Sequence, residues 1–283
     1  MFKKLAVLFY IGSIIGFYSC NLEKSVNVEL PPYESQKILE CYLEPGKPFR
    51  ALLTKSSPYF SELDFSDLTR ILATILEDSA KVQIKYGNQT VVLTNTLSLD
   101  QINEKVYNYS STELVPADYS SEFELEIILQ DGKKITSKTK ISPPVAIDSV
   151  RVEYNQEMKA RALTYISDNP NTKDYYRRML NLNSLKDSIP KQDFLADDQI
   201  LQGSTRLVFG SGFQFKKNDT LYNSILRINK DYFDFLSSVK NAVSNNGNPF
   251  GQPGVIFSNL QGTTNALGIF TGFTTVRDTT YIR

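Results

Sequence analysis

Glu122-Phe123-Glu124-Leu125-Glu126-Ile127 alternates acidic and apolar residues without a break, and Gln130-Asp131-Gly132-Lys133 follows closely. Successive strand side chains point to opposite faces, so the stretch reads as a strand with one dry face and one wet face. Asp-Gly is hairpin chemistry, because glycine adopts positive φ without a steric penalty. The run Lys134–Ile141 is then the returning strand. Outward from this hairpin, Ile38–Leu43, Phe49–Leu53, Ala80–Tyr86 and Thr90–Leu93 share its short, alternating or β-branched character. Glu44-Pro45-Gly46-Lys47 is a further turn. Short strands separated by such turns predict a β-sandwich over 33–142, closed by Ser142-Pro143-Pro144.

One helix interrupts this pattern. Ser66 is placed to cap Asp67–Leu76, whose Leu68, Ile71, Leu72, Ile75 and Leu76 fall on one face. Such a stripe is core packing or, on an inserted helix, a face for a partner. Beyond the prolines, 145–283 reads as a second β-rich domain with strands at Ile147–Val152, Arg161–Ser167, Tyr175–Leu182, Arg206–Phe209, Leu221–Ile228 and Ala266–Val276. Asn229 caps an amphipathic helix Lys230–Val243, with Tyr232, Phe235, Leu236, Val239, Ala242 and Val243 on its apolar face. Asn245-Asn246-Gly247 ends it. The expected fold class is mainly β, with two β-rich domains in succession and one amphipathic helix in the second.

The chain starts with Met1-Phe2-Lys3-Lys4, runs apolar from Leu5 to Tyr18 and reaches Phe17-Tyr18-Ser19-Cys20. The apolar run is short of the ~20 residues that span a bilayer but suits an export signal. Its end resembles the lipobox of bacterial lipoproteins, with Phe17 where leucine is commoner. That resemblance implies cleavage after residue 19, acylation of Cys20 and a polar tether over 20–32. The alternative is an ordinary secretory signal ending beside an incidental cysteine.

Basic and acidic residues number 31 each, and loss of Lys3 and Lys4 leaves 29 against 31. Nucleic-acid binding therefore has no electrostatic footprint. Histidine is absent, which excludes Ser-His-Asp and Cys-His nucleophile pairs and any His-ligated metal. With Cys20 acylated, Cys41 has no partner within the chain. The alternation of Leu39, Cys41 and Leu43 makes it a small core residue, with a redox or metal role as the alternative.

Asp168, Asp174, Asp197 and Asp198 are the carboxylate candidates. An all-oxygen Ca²⁺ site needs several such ligands converging, whereas Asp168-Asn169-Pro170-Asn171 equally well forms an ordinary Asx turn. The aromatic pairs Tyr175-Tyr176 and Tyr232-Phe233 are candidates for ligand stacking, but half of any strand pair faces inward. Asp-Ser/Thr followed by an apolar residue or threonine recurs at Asp78-Ser79-Ala80, Asp148-Ser149-Val150, Asp187-Ser188-Ile189, Asp219-Thr220-Leu221 and Asp278-Thr279-Thr280. These triplets resemble the O-glycosylation sequon of exported Bacteroidota proteins.

Four ordered stretches resemble the Bacteroidota lipoprotein family known as domain of unknown function 4249. They are Lys37–Pro48 with Thr54–Phe60, Ser79–Ile84, Ile166–Pro170 leading to Asp174–Arg177, and Asn248–Phe250 through Asn259 to Leu267–Gly272. The inserted Ser61–Ser79 segment and the cysteine at 41 depart from the pattern. The resemblance implies a lipid anchor, an immunoglobulin-like first domain, a β-rich second one and association with a TonB-dependent outer-membrane receptor. It carries no catalytic residue, metal or cofactor. The expected function is a non-catalytic binding accessory at the outer membrane. A structural or adhesive surface lipoprotein is the alternative, and a carboxylate-only glycan hydrolase the third reading.

Overall fold

The computed structural model describes residues 34–57, 67–100, 105–186, 190–198, 205–245 and 254–283, and Ser35–Arg283 form one compact unit. Cys20, the 20–32 tether, Ser66, Asp187-Ser188-Ile189, Asn246-Gly247 and Asn248–Phe250 lie outside the described residues. The first half contains β1 (Lys37–Leu43), β2 (Pro48–Lys55), α1 (Leu68–Ile75), β3 (Lys81–Tyr86), β4 (Gln89–Asp100), β5 (Lys105–Leu114), β6 (Phe123–Ile128) and β7 (Lys134–Thr139). The second contains β8 (Ile147–Tyr154), β9 (Ala160–Ser167), β10 (Tyr175–Leu182), β11 (Gln192–Asp197), β12 (Arg206–Gly210) and β13 (Thr220–Ile228). There follow α2 (Lys230–Asn245), β14 (Gln261–Gly262), β15 (Ala266–Gly272) and β16 (Thr274–Tyr281). The mainly-β expectation holds.

The hairpin that decides the fold is β6–β7. Phe123, Leu125 and Ile127 are buried, while Gly132 takes φ +81° as Leu129 N–H donates to Lys133 C=O at 2.9 Å. It belongs to a nine-stranded sheet in the order β14-β7-β6-β3-β4-β5-β2-β1-β15. The sheet doubles over at β4. Its first half, Gln89–Leu93, pairs with β3, and from Thr94 onward it pairs with β5, with a register shift between Asn95 and Ser98 inside that second ladder. Such a bulge bends and twists a strand, which lets one strand serve two layers. The layers enclose one core, with Leu39, Cys41, Leu43, Phe49 and Leu53 on one side and Ile84, Phe123, Leu125 and Ile135 on the other. Cys41 is fully buried there, and burial pushes its thiol up to about 12. It is an inert core residue.

Asn108 is a polar residue inside that layer. Its carboxamide accepts from Leu53 N–H (2.8 Å) and donates to Leu53 C=O (3.0 Å), Glu77 C=O (3.2 Å) and the Asp78 carboxylate (2.9 Å). The side chain thus stands in for a strand partner and ties the segment after α1 to β2. Asn108→Leu keeps the size but leaves buried backbone groups without partners, so urea unfolding should show a loss of about 2–4 kcal/mol. A change below about 0.5 kcal/mol would show that this network is dispensable. Helix α1 is capped by Asp67, whose carboxylate accepts from Arg70 N–H at 3.0 Å. The expected cap at Ser66 is thus displaced by one residue, because the aspartate reaches the amide three positions on.

The second sandwich faces β12-β9-β8 against β11-β10-β13-β16. The expected strand Ala266–Val276 is in fact two. Phe273 separates them, donating its N–H to Leu43 C=O at 3.0 Å, so β15 runs parallel to β1 in the first sandwich while β16 pairs with β13 in the second. Hydrogen bonding therefore crosses the expected boundary between 142 and 145, again where β14 pairs with β7. Helix α2 covers the junction. The Asn229 side chain accepts from Tyr232 N–H (2.9 Å) and Thr271 Oγ1 (3.1 Å) and donates to Thr139 Oγ1 (2.9 Å), so the cap is also a rivet between halves. Tyr232 packs with Tyr42 and Ile269 from the first sandwich and with Tyr175 and Leu226 from the second. The helix runs past the expected end at Val243, which is 68% exposed and not part of the packed face.

Candidate functional site

The β9–β10 connection and the end of β11 bring three of the four candidate carboxylates together. Asp168 accepts from the Tyr176 hydroxyl, and Asp174 accepts from Arg227 Nη2 (2.5 Å) and Nε (3.2 Å) and from Thr172 Oγ1 (2.9 Å). Asp198 accepts from Asp174 N–H at 2.7 Å. Asp197 is separate, lying opposite Tyr175 in the β10–β11 ladder. Asn169 forms the ordinary turn, its carboxamide accepting from Asn171 N–H at 3.0 Å and its carbonyl from Thr172 N–H at 3.1 Å. Among the described residues no group of three His, Cys, Asp or Glu side chains is arranged to hold a metal. These acids are spent on holding the β9–β10 loop against β11 and β13.

The cluster is electrostatically uneven. Asp174 has Arg227, whereas Asp168 is 8% exposed and has a phenol as its donor. Desolvation, set against the Tyr176 hydrogen bond and reinforced by Asp174 and Asp198, holds the Asp168 carboxyl above its ordinary value. The folded state therefore binds this proton more tightly than the unfolded chain does. This site's contribution to stability is greatest below the ordinary carboxylate range and declines as pH rises to the folded pKa. Asp168→Asn keeps an acceptor for Tyr176 without the charge. It should be at least as stable as wild type at pH 7 and lose this segment of the pH–stability curve, measured by urea unfolding from pH 4 to 8. A destabilised, equally pH-sensitive variant would contradict the assignment.

The aromatic pairs are packing. Tyr175 and Tyr176 are both buried, one under α2 and one in the second sandwich, because both faces of β10 are covered. Tyr232 stacks on Phe273 with ring centres 5.7 Å apart. Of the sequon hydroxyls, Ser79, Ser149 and Thr279 are exposed and Thr220 is half-buried.

Two features were not singled out in the sequence. Leu97 and Leu99, two residues apart on the extended part of β4, are 59% and 58% exposed. They share one face, and an exposed apolar strand face is a feature that soluble proteins otherwise suppress. The second is Arg178, fully buried in β10 with Thr164 and Asn223 beside it. Its signal was its place in strand phase with Tyr176 and Leu180.

Among curated proteins none matches the chain. A crystal structure of a DUF4785 family protein from Legionella pneumophila is similar over 67% of this chain and 52% of its own length, with 13% identity and a TM-score of 0.23. The chain thus spans about half of that protein, and so low a score bears on neither fold nor function. The family model for Domain of unknown function (DUF4249) matches residues 23–279, nearly the whole length beyond the leader-like segment. The chain belongs to the DUF4249 family.

Proposed function

We propose that this chain is an outer-membrane lipoprotein of Bacteroidota, acylated at Cys20 and exposed on the cell surface. In this reading it is a non-catalytic binding accessory of a TonB-dependent receptor in a nutrient-uptake system. The lipobox-like Phe17-Tyr18-Ser19-Cys20 supports the anchor, and among the described residues no helix is long and apolar enough to cross a membrane. The absence of histidine and the internal pairing of Asp168, Asp174 and Asp198 favour binding over hydrolysis.

The observation that carries the docking role is the Leu97/Leu99 face of β4. Apolar side chains left in water on a strand are costly for a lone protein and useful for a partnered one. Tagged protein solubilised from native membranes in mild detergent should recover a β-barrel receptor in near-equal amount. Leu97→Asp/Leu99→Asp should cut that recovery at least about tenfold while leaving the melting temperature within about 2 °C. Wild-type protein that co-purifies with no barrel would sink the accessory role and leave the adhesive or structural surface lipoprotein.

A further inference from the structure

The second sandwich has a charge in the middle of its core. Its interior holds one apolar cluster around Ile166, Tyr176, Phe209 and Ile225 and another around Ala162, Leu180, Phe215 and Leu221. Between them, from the inward faces of β9, β10 and β13, come Thr164, Arg178 and Asn223, all with no exposed surface. A guanidinium does not lose its proton in a protein, so the layer carries a full positive charge.

What surrounds the charge is neutral. Arg178 Nη1 donates to the Gln192 carboxamide oxygen and Nη2 to Asn223 Oδ1 at 2.9 Å, with the Phe194 ring centre 5.8 Å from Cζ. Thr164 Oγ1 also donates to Asn223 Oδ1, at 3.2 Å. Among the described residues no carboxylate pairs with Arg178, and desolvation alone pulls its pKa down to about 10. A buried ion without a countercharge is among the costliest features a core can hold.

The same chain shows what an arginine does with an acid available. Arg161, Arg177 and Arg227 each turn their Nε and Nη2 edge onto a carboxylate, of Glu153, Asp193 and Asp174 respectively. Arg178 has that edge half used. Its Nη2 reaches only an amide oxygen, and its Nε has no partner. The amide it reaches has an unused donor as well, Asn223 Nδ2, likewise buried without a partner. One positive charge and two unspent N–H donors thus belong to two side chains already bonded to each other.

We propose that Arg178 Nε and Asn223 Nδ2 hold one small monovalent inorganic anion, chloride in ordinary solution, in the interior of the second sandwich. The anion supplies the countercharge that the neutral shell lacks, and both unspent donors become charge-assisted hydrogen bonds. A compact spherical ion suits a site lined by side chains without exposed surface better than sulfate or phosphate does. The site stands apart from the Asp168–Asp174–Asp198 cluster and does not depend on the receptor reading.

The test is thermal unfolding of the purified chain in sodium chloride against sodium gluconate at equal ionic strength. A ligand that binds only the folded state raises the midpoint in a saturable way, here by about 2–4 °C near tenfold excess over its dissociation constant. Bromide should replace chloride, and sulfate should not. Asn223→Asp builds the countercharge into the protein while keeping the acceptor for Arg178 and Thr164. It should melt higher than wild type in gluconate and show no chloride response. Arg178→Met should lose the response too. Crystals grown in bromide should show an anomalous peak within hydrogen-bonding distance of Arg178 Nε. Equal wild-type midpoints in chloride and gluconate would overturn the proposal, as would a chloride response that survives Asn223→Asp.

Discussion

Gly268→Ala should abolish the native fold or cost it more than about 4 kcal/mol, among the largest effects expected of a single methyl group. Gly268 lies in β15 opposite Leu39 of β1, with φ +124°, a region that residues with a Cβ rarely enter. A Cβ built there would sit 1.9 Å from the Leu39 carbonyl oxygen and 2.9 Å from its nitrogen, both backbone atoms that no rotamer change can move. The strands must separate, and with them goes the parallel ladder from Lys37–Ala266 to Leu43–Gly272. The damage spreads because β15 also presents Ile269 to α2 and continues through Phe273 into β16 of the second sandwich. Gly46→Ala is the control: φ there is +79°, but nothing lies within 4 Å of the added carbon. It should cost only the left-handed backbone penalty, about 1–2 kcal/mol. Denaturant midpoints of the two variants check this. If Gly268→Ala unfolds no earlier than Gly46→Ala, the β1–β15 contact is not what joins the halves.

That contact marks where sequence reading stops. The β6–β7 hairpin, the Glu44–Lys47 turn, the buried Cys41 and the Asn229 cap were legible because each is decided within a few residues. The period-2 burial, the glycine at positive φ and the capping amide are all local physics. The strand β5 was not legible, because Lys-Val-Tyr-Asn-Tyr-Ser-Ser-Thr-Glu-Leu carries a buried asparagine. Asn108 is paid for by Leu53, fifty-five residues away. The division of 266–281 into two strands was hidden for the same reason, since it depends on Leu43 accepting from Phe273. Of the candidate site, the acid cluster could be named but not sorted. Only the fold shows that Arg227 takes Asp174 and leaves Asp168 to a tyrosine. Arg178 was visible as a letter in strand phase, but a lone charge at an inward position gains meaning only once its neighbours prove neutral.

Cys20→Ser should move the protein wholly from the membrane fraction to the soluble fraction without changing its melting temperature. A serine hydroxyl does not form the thioether through which the proposed lipid is attached, so every acyl chain is lost with one sulfur. Each buried methylene contributes about 0.8 kcal/mol to membrane binding, and more than one chain is needed for a stable hold, so the loss leaves no partial anchor. Fractionation and intact-mass measurement read the result together. Wild type should carry acyl mass on a chain beginning at residue 20, and mass beyond that would come from glycans on the sequon hydroxyls, Ser79, Ser149 and Thr279 among the described residues or Ser188 outside them. A Cys20→Ser protein that stays in the membrane fraction has two explanations, which the Leu97→Asp/Leu99→Asp background separates. Release by the leucine changes would mean that docking to a partner barrel holds the protein in place and the lipid is secondary. Retention of the combined variant on a chain whose intact mass shows the Leu5–Tyr18 leader removed would remove both the lipid anchor and the β4 docking face from the account.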